Sequence, residues 1–111
     1  MAGKRKTKDF NPYKCGVTHF LNKMGGKWKV LIIHGINLGH NRFSTLQKAM
    51  PLIGKQTLIN QLRELEDDKI IEREVFAEVP PRVEYHISKY GKSLLPVIMT
   101  VQEWGLKDMK K

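Results

Sequence analysis

The sequence predicts an α+β fold, mostly helical, in which a pair of short helices is followed by one two-stranded hairpin and a closing helix. Three observations predict it. Apolar residues recur at spacings of three and four through most of the chain, the pattern of helices with one buried face. Alternation appears within 71–87, in part through "IIEREVFAEV" and again in "RVEYHI", as in strands. Within it, "FAEVPPRVEY" at 76–85 carries Pro80 and Pro81, which cannot donate to a sheet ladder and so divide the stretch into two strands around a stiff loop. With 111 residues, 41% of them hydrophobic, the chain has the length of one domain and enough apolar side chains for a modest core.

Taken in order, residues 1–13 read as a flexible basic arm and 14–111 as the folded domain. In "VTHFLNKMGGKWKVLIIHGINLG", Thr18 can cap a short helix, and Gly25 and Gly26 interrupt it before a second helix from Lys27 to Leu38. There Trp28, Leu31, Ile32 and Gly35 share one face, widened by Val30, Ile33 and Ile36, so this is expected to be the core helix, buried on most sides. Ser44 is placed to cap a third helix through Ala49 or Met50, ended by Pro51. A fourth runs from about Lys55 to Asp68 with Leu58, Ile59, Leu62 and Leu65 inward. Ile71, Arg73 and Val75, then Val83, Tyr85 and Ile87, mark one face of each strand. Ser88 opens the last helix, in which Leu94, Val97, Ile98, Val101 and Trp104 form a stripe and Pro96 should introduce a kink. Such a stripe needs a partner surface.

Charge narrows the partner. Twenty Lys and Arg face eleven Asp and Glu, a formal net charge of +9. Residues 1–34 hold eight basic residues against Asp9 alone, which favours a polyanion such as nucleic acid or an anionic membrane surface. The start "MAGKRKTKDFNP" has the charge of a signal peptide without its apolar stretch, and no apolar run approaches membrane-spanning length, so a cytoplasmic protein without membrane association is expected. Cys15, the single cysteine, excludes an internal disulfide and a CxxC metal framework.

Helix, turn, helix and a stiff-tipped hairpin is the order of a winged helix-turn-helix DNA-binding domain, whose second helix enters the major groove while the hairpin reaches phosphate or the minor groove. The outward residues of that helix, Lys55, Gln56, Thr57, Asn60, Gln61 and Arg63, suit base reading. Asn and Gln pair with adenine, Thr touches a thymine methyl, and Lys and Arg bind guanine or phosphate. Arg42 and Arg63 are assigned to phosphate or the minor groove. Arg82 is assigned to the wing, and Lys27 and Lys29 are weaker candidates. Catalysis has little support. His19, His34, His40 and His86 are scattered without metal-ligand spacing, "YGKS" at 90–93 has His86 where a phosphate loop needs its first glycine, and Asp67 and Asp68 read as a solvated helix end. No catalytic residue, metal or cofactor is expected.

With those motifs in view, the chain resembles the HxlR-type winged helix regulators, themselves distantly similar to MarR-type repressors. The resemblance rests on "GGKWKVLII" (25–33), "RFSTLQKAMP" (42–51), "LINQLRELEDDKII" (58–71), "EVPPRVEYHIS" (78–88), "GKSLLPVI" (91–98) and "WG" (104–105). It implies a homodimeric regulator, with the first and last helices forming the interface through Phe20, Leu94, Ile98, Val101 and Trp104, and two recognition helices presented to a pseudo-palindromic operator in double-stranded DNA. Three positions depart from the family: Gly16 after the cysteine, Gly54 before the recognition helix, and Lys69 where relatives often place glycine. A left-handed residue costs roughly 1 kcal/mol or more without glycine, so the turn at Lys69 is expected to be built differently. Some similar regulators sense oxidants at the position of Cys15, where Lys14 and Lys23 could stabilise a thiolate. The competing reading, a small buried packing residue, is preferred because free cysteine is commonly buried. The overall expectation is a homodimeric repressor with a small-molecule or redox effector unidentified. The alternatives are a winged helix used for protein interaction and a thiol-based sensor acting through Cys15.

Overall fold

The computed structural model describes residues 9–111. Most of the arm expected at 1–13, including "GKRKTK", lies outside the described residues; its end enters a 3-10 turn at Pro12–Lys14, where Asn11 Oδ1 accepts from the Tyr13 N–H at 2.9 Å. Four helices follow: α1 (Gly16–Met24), α2 (Lys29–Asn37), α3 (Phe43–Ala49) and α4 (Lys55–Asp67). Strands β1 (Ile71–Phe76) and β2 (Arg82–Ile87) form an antiparallel hairpin, and a 3-10 turn at Gly91–Leu94 leads into α5 (Leu95–Met109). This is the mostly helical α+β winged helix architecture.

The core is a single cluster beneath α2 and α4. Met24, Ile32, Ile33, Ile36, Leu46, Ile53, Leu58, Leu62, Leu65, Ile70, Ile71 and Ile98 are all buried in it. Leu58, Leu62 and Leu65 lie on one face of α4, as the spacing predicts, while Ile59 is only half-buried. α2 is less enclosed than expected. Its buried side is Lys29, Ile32, Ile33 and Ile36, and Leu31 faces out at 48% exposure.

The caps differ from the sequence expectation. α1 begins at Cys15, whose Sγ accepts from the Thr18 N–H at 3.4 Å, so Thr18 sits inside the helix rather than capping it. α3 begins after Arg42. Thr45 Oγ1 donates to the Arg42 carbonyl at 3.0 Å and accepts from its N–H at 3.3 Å, leaving Ser44 in the first turn. At α3 two neighbouring hydroxyls compete and only the backbone geometry selects Thr45, whereas at α1 a thiol takes the place that a hydroxyl usually fills. Pro96 introduces no break, because it occupies the first turn of α5, where its missing N–H has no partner to lose.

The end of α4 overturns another expectation. Lys69 is left-handed, with φ +63°, despite having a side chain. Its N–H donates to the Glu66 carbonyl at 2.9 Å, and the Ile70 N–H donates to that of Leu65 at 3.0 Å. This is a Schellman close, and Leu65 and Ile70, the two residues it bridges, are both buried in the core cluster. Ser88 then ties three elements together. Its Oγ is shared between the carbonyls of Lys69 (2.7 Å) and Ile70 (3.0 Å) and accepts from the Gly91 N–H at 2.9 Å. At Gly91 a methyl group would collide with the Ile70 carbonyl, so glycine is required there by close approach.

Candidate nucleic-acid interface

α4 follows Gly54, which adopts the extended N-cap backbone (φ −70°, ψ 152°) without offering a capping side chain. Burial of Leu58, Leu62 and Leu65 turns the opposite face outward. Gln56, Asn60 and Arg63 form its exposed stripe, flanked by exposed Lys55 and Thr57. Gln56 Nε2 donates to Asn60 Oδ1 at 3.0 Å, so these two amides are already mutually oriented. Gln61 is a correction: lying three residues after Leu58 and four before Leu65, it is half-buried at the flank rather than outward.

The hairpin lies beside this helix, joined to it through a contact of Arg73 Nε with Glu66 Oε1 at 3.7 Å. The register pairs Ile71 with Ile87, Arg73 with Tyr85 and Val75 with Val83, the alternation read from the sequence. Burial pushes the Tyr85 phenol pKa up, opposed by nearby Arg73 and reinforced by Glu66. The Tyr85 N–H also donates to the Asn41 carbonyl at 2.8 Å, fastening β2 to the segment that enters α3.

Arg82 stands at the root of β2, while exposed Val79, Pro80 and Pro81 make the tip. Its guanidinium stacks 4.0 Å from the Phe76 ring centre and reaches Glu78 Oε2 at 3.1 Å and Glu84 Oε2 at 3.6 Å. Arg42, at the start of α3, approaches the same Glu84 oxygen at 3.9 Å. The two arginines therefore meet around Glu84, which joins α3 to the hairpin. Lys27 is exposed and lies over Trp28, but Lys29 is no DNA candidate. It is buried and its Nζ contacts Glu64 Oε1 at 2.7 Å, binding α2 to α4.

The residues assigned to a dimer interface divide. Val101 and Trp104 are exposed and align with exposed Val97 along α5. Ile98 is a correction, being 4% exposed within the core, and Leu94 and Phe20 are half-buried against that core. The register explains this: Leu94 and Ile98 are four residues apart on the inner face, whereas 97, 101 and 104 follow the outer one. α1 adds exposed Val17 and Leu21, which no sequence pattern singled out.

Cys15 is a further correction, since it is partly exposed and not a buried packing residue. The Thr18 side chain, with Oγ1 3.1 Å from Sγ, and the Thr18 N–H hold its pKa below the ordinary thiol value, against a small opposing effect of desolvation. Neither Lys14 nor Lys23 contributes to that lowering.

One cluster went unnoticed in the sequence. On the hairpin face opposite Tyr85, Glu74 pairs directly across from Glu84, and His86 Nε2 lies 3.1 Å from Glu74 Oε1 and 3.4 Å from Glu84 Oε1. The three are separated by 10 and 2 positions, and only the strand register brings them together.

A helix pair with an exposed polar second helix and a hairpin beside it defines the winged helix class of DNA-binding regulators. Comparison with known proteins refines this: the HxlR-like helix-turn-helix family profile matches residues 23–111, and the chain belongs to that family. It is 44% identical over 93 residues to an uncharacterized HTH-type transcriptional regulator of Methanothermobacter thermautotrophicus, covering 84% of this chain and 71% of that one. The HTH-type transcriptional regulator YdeP of Bacillus subtilis is 43% identical over 93 residues, covering 84% and 73% of the two chains. Among solved structures, the redox regulator HypR in its oxidized form superposes with a TM-score of 0.80 at 40% identity, covering 84% of this chain and 96% of that one. The protein is thus a helix-turn-helix transcriptional regulator. Among the described residues no helix is long and apolar enough to cross a membrane.

Proposed function

We propose that this regulator is a homodimeric repressor that binds a pseudo-palindromic operator in double-stranded DNA and acts by occluding a promoter. The observation that carries the reading is the outer face of α4, where Gln56, Asn60 and Arg63 stand exposed between Lys55 and Thr57 while the opposite face is locked in the core. Asn60 and Gln56 read bases, with Thr57 and Lys55 beside them; Arg63 and Arg42 take phosphate, and Gln61 contributes from the flank. Arg82 must exchange its carboxylate partners for phosphate on binding, so its net effect on affinity is smaller than that of Lys55. The outer stripe Val97, Val101 and Trp104, with Val17 and Leu21 of α1, supplies apolar surface for the second subunit.

The test is selection from randomised duplex DNA, followed by titration of the selected site across salt concentrations. A palindromic motif with steep salt dependence is expected, because each neutralised phosphate contributes about −0.9 to the slope of log K against log salt. No enriched motif would favour a winged helix used for protein interaction.

A second reading has its own support. Cys15 is partly exposed with a thiol pKa below the ordinary value, and the similar HypR is described as a redox regulator. With one cysteine per chain, oxidation joins two Cys15 thiols of different subunits, or one Cys15 to a small thiol. Two electrons and two protons pass to the oxidant. Oxidant-dependent release of operator DNA that disappears in Cys15→Ser supports this control; identical release in Cys15→Ser refutes it.

A further inference from the structure

The hairpin carries a like-charge pair that the fold does not require. Glu74 and Glu84 occupy directly opposed positions of β1 and β2, an arrangement that destabilises a sheet unless something offsets it. Arg42 and Arg82 offset only one side of it. Both approach Oε2 of Glu84, fixing that carboxylate at 16% side-chain exposure and leaving its Oε1 directed at His86. Glu74 contributes its Oε1 to the same imidazole nitrogen.

The spacing of these atoms is close to that of a coordination shell. Zinc binds imidazole nitrogen and carboxylate oxygen at about 2.0–2.2 Å, so neighbouring donors on one tetrahedral ion lie about 3.3–3.6 Å apart. Of the contacts of His86 Nε2 with the two glutamates, the 3.4 Å contact matches that spacing and the 3.1 Å contact is slightly shorter, and all three donor atoms lie within 4.8 Å of one another, so small side-chain adjustments bring them onto one ion. From this geometry we infer that Glu74, Glu84 and His86 form a binding site for a divalent first-row transition metal of the zinc class.

The donor set fits that class and disfavours others. Imidazole with carboxylates suits zinc, cobalt and nickel, whereas magnesium and calcium prefer oxygen donors alone. Three protein ligands leave a coordination position for water, so the metal exchanges instead of being locked in. The site needs no sulfur, which separates it from Cys15, and it does not depend on whether the protein binds DNA.

The experiment is titration of the full chain with zinc by calorimetry, repeated with cobalt to record its absorption spectrum. One metal per chain is expected, without thiolate-to-cobalt charge transfer. His86→Ala and Glu74→Gln should each weaken binding by at least about tenfold, the scale on which even supporting residues of metal sites act. Both positions are substantially solvent-exposed, and unchanged circular dichroism would confirm that the variants fold. Cys15→Ser should leave binding intact, and magnesium in excess should not compete. Absence of zinc binding at sub-millimolar concentrations, binding undiminished in both wing variants, or loss of binding in Cys15→Ser would overturn the assignment.

Discussion

Lys69 shows how a single side chain can be tolerated where its backbone conformation favours glycine. At φ +63° its Cβ crowds the backbone, yet the two Schellman hydrogen bonds and the burial of Leu65 and Ile70 on either side hold the chain to this route out of α4. Lys69→Gly should raise stability by about 0.5–1 kcal/mol in urea unfolding, since relief of left-handed strain exceeds the extra entropy of glycine in the unfolded chain. A loss of stability would mean that the lysine side chain makes a compensating interaction. Cys15 offers a second residue-scale measurement. The Thr18 hydroxyl is the largest cause of its lowered pKa. The midpoint of alkylation rate against pH should therefore lie below that of the unfolded chain, and Thr18→Val should move it upward. Because the folded pKa is depressed, the associated stabilisation is present above the unfolded pKa and is lost as pH falls through the folded one. Coincident midpoints for the native and unfolded chains would exclude thiolate stabilisation by this cap.

Among the elements, α4 divides packing from recognition by face, and its exposed residues should separate by assay. Asn60→Ala should cost about 1–3 kcal/mol on the selected operator and little on unrelated DNA, the signature of a base contact. Arg63→Ala should weaken binding to both and reduce the salt slope by about one unit. Reversed behaviour of the two variants would rotate the docking of the helix relative to the groove. Elements were also the most legible level of the sequence. The Leu58, Leu62 and Leu65 spacing reports directly which side of α4 is buried, whereas the 71–87 alternation marked the strands but no buried face, since Arg73 and Val75 are exposed and β2 is half-buried along its length. What periodicity could not resolve was adjacency. Leu94 and Ile98 read as one stripe with Val101 and Trp104, but their side chains point to the core and the other two do not. Lys29 likewise stood among the weaker DNA candidates until Glu64, from another helix, was placed against it.

At the scale of the molecule, the exposed stripe of α5 is the principal apolar surface left open by the core. Trp104→Asp should convert a dimer to a monomer in sedimentation, with helix content unchanged, at a cost of about 2–4 kcal/mol in association. A wild-type chain that sediments as a monomer would remove the two-headed reading of DNA altogether. The architecture itself was legible because the order of helix pair, hairpin and closing helix can be read without distances. The Glu74, Glu84 and His86 cluster was not, because it depends on a strand register that the five residues between Phe76 and Arg82 set only once folded. Cap identities were hidden for a related reason, since Thr45 competes with the neighbouring hydroxyl of Ser44 and Cys15 caps α1 with a thiol, an uncommon acceptor at that position.

The knot at Ser88 bears on how such a molecule could be switched off. One hydroxyl holds the exit of α4, the foot of the hairpin and the turn that launches α5. In a dimer joined along α5, that tie would make the reader, wing and dimer helix of each subunit one body. A signal at the α5 seam would then leave each body intact and change only the angle between the two. The inactive state would keep its grip on either end of the operator and lose the ability to hold both at once.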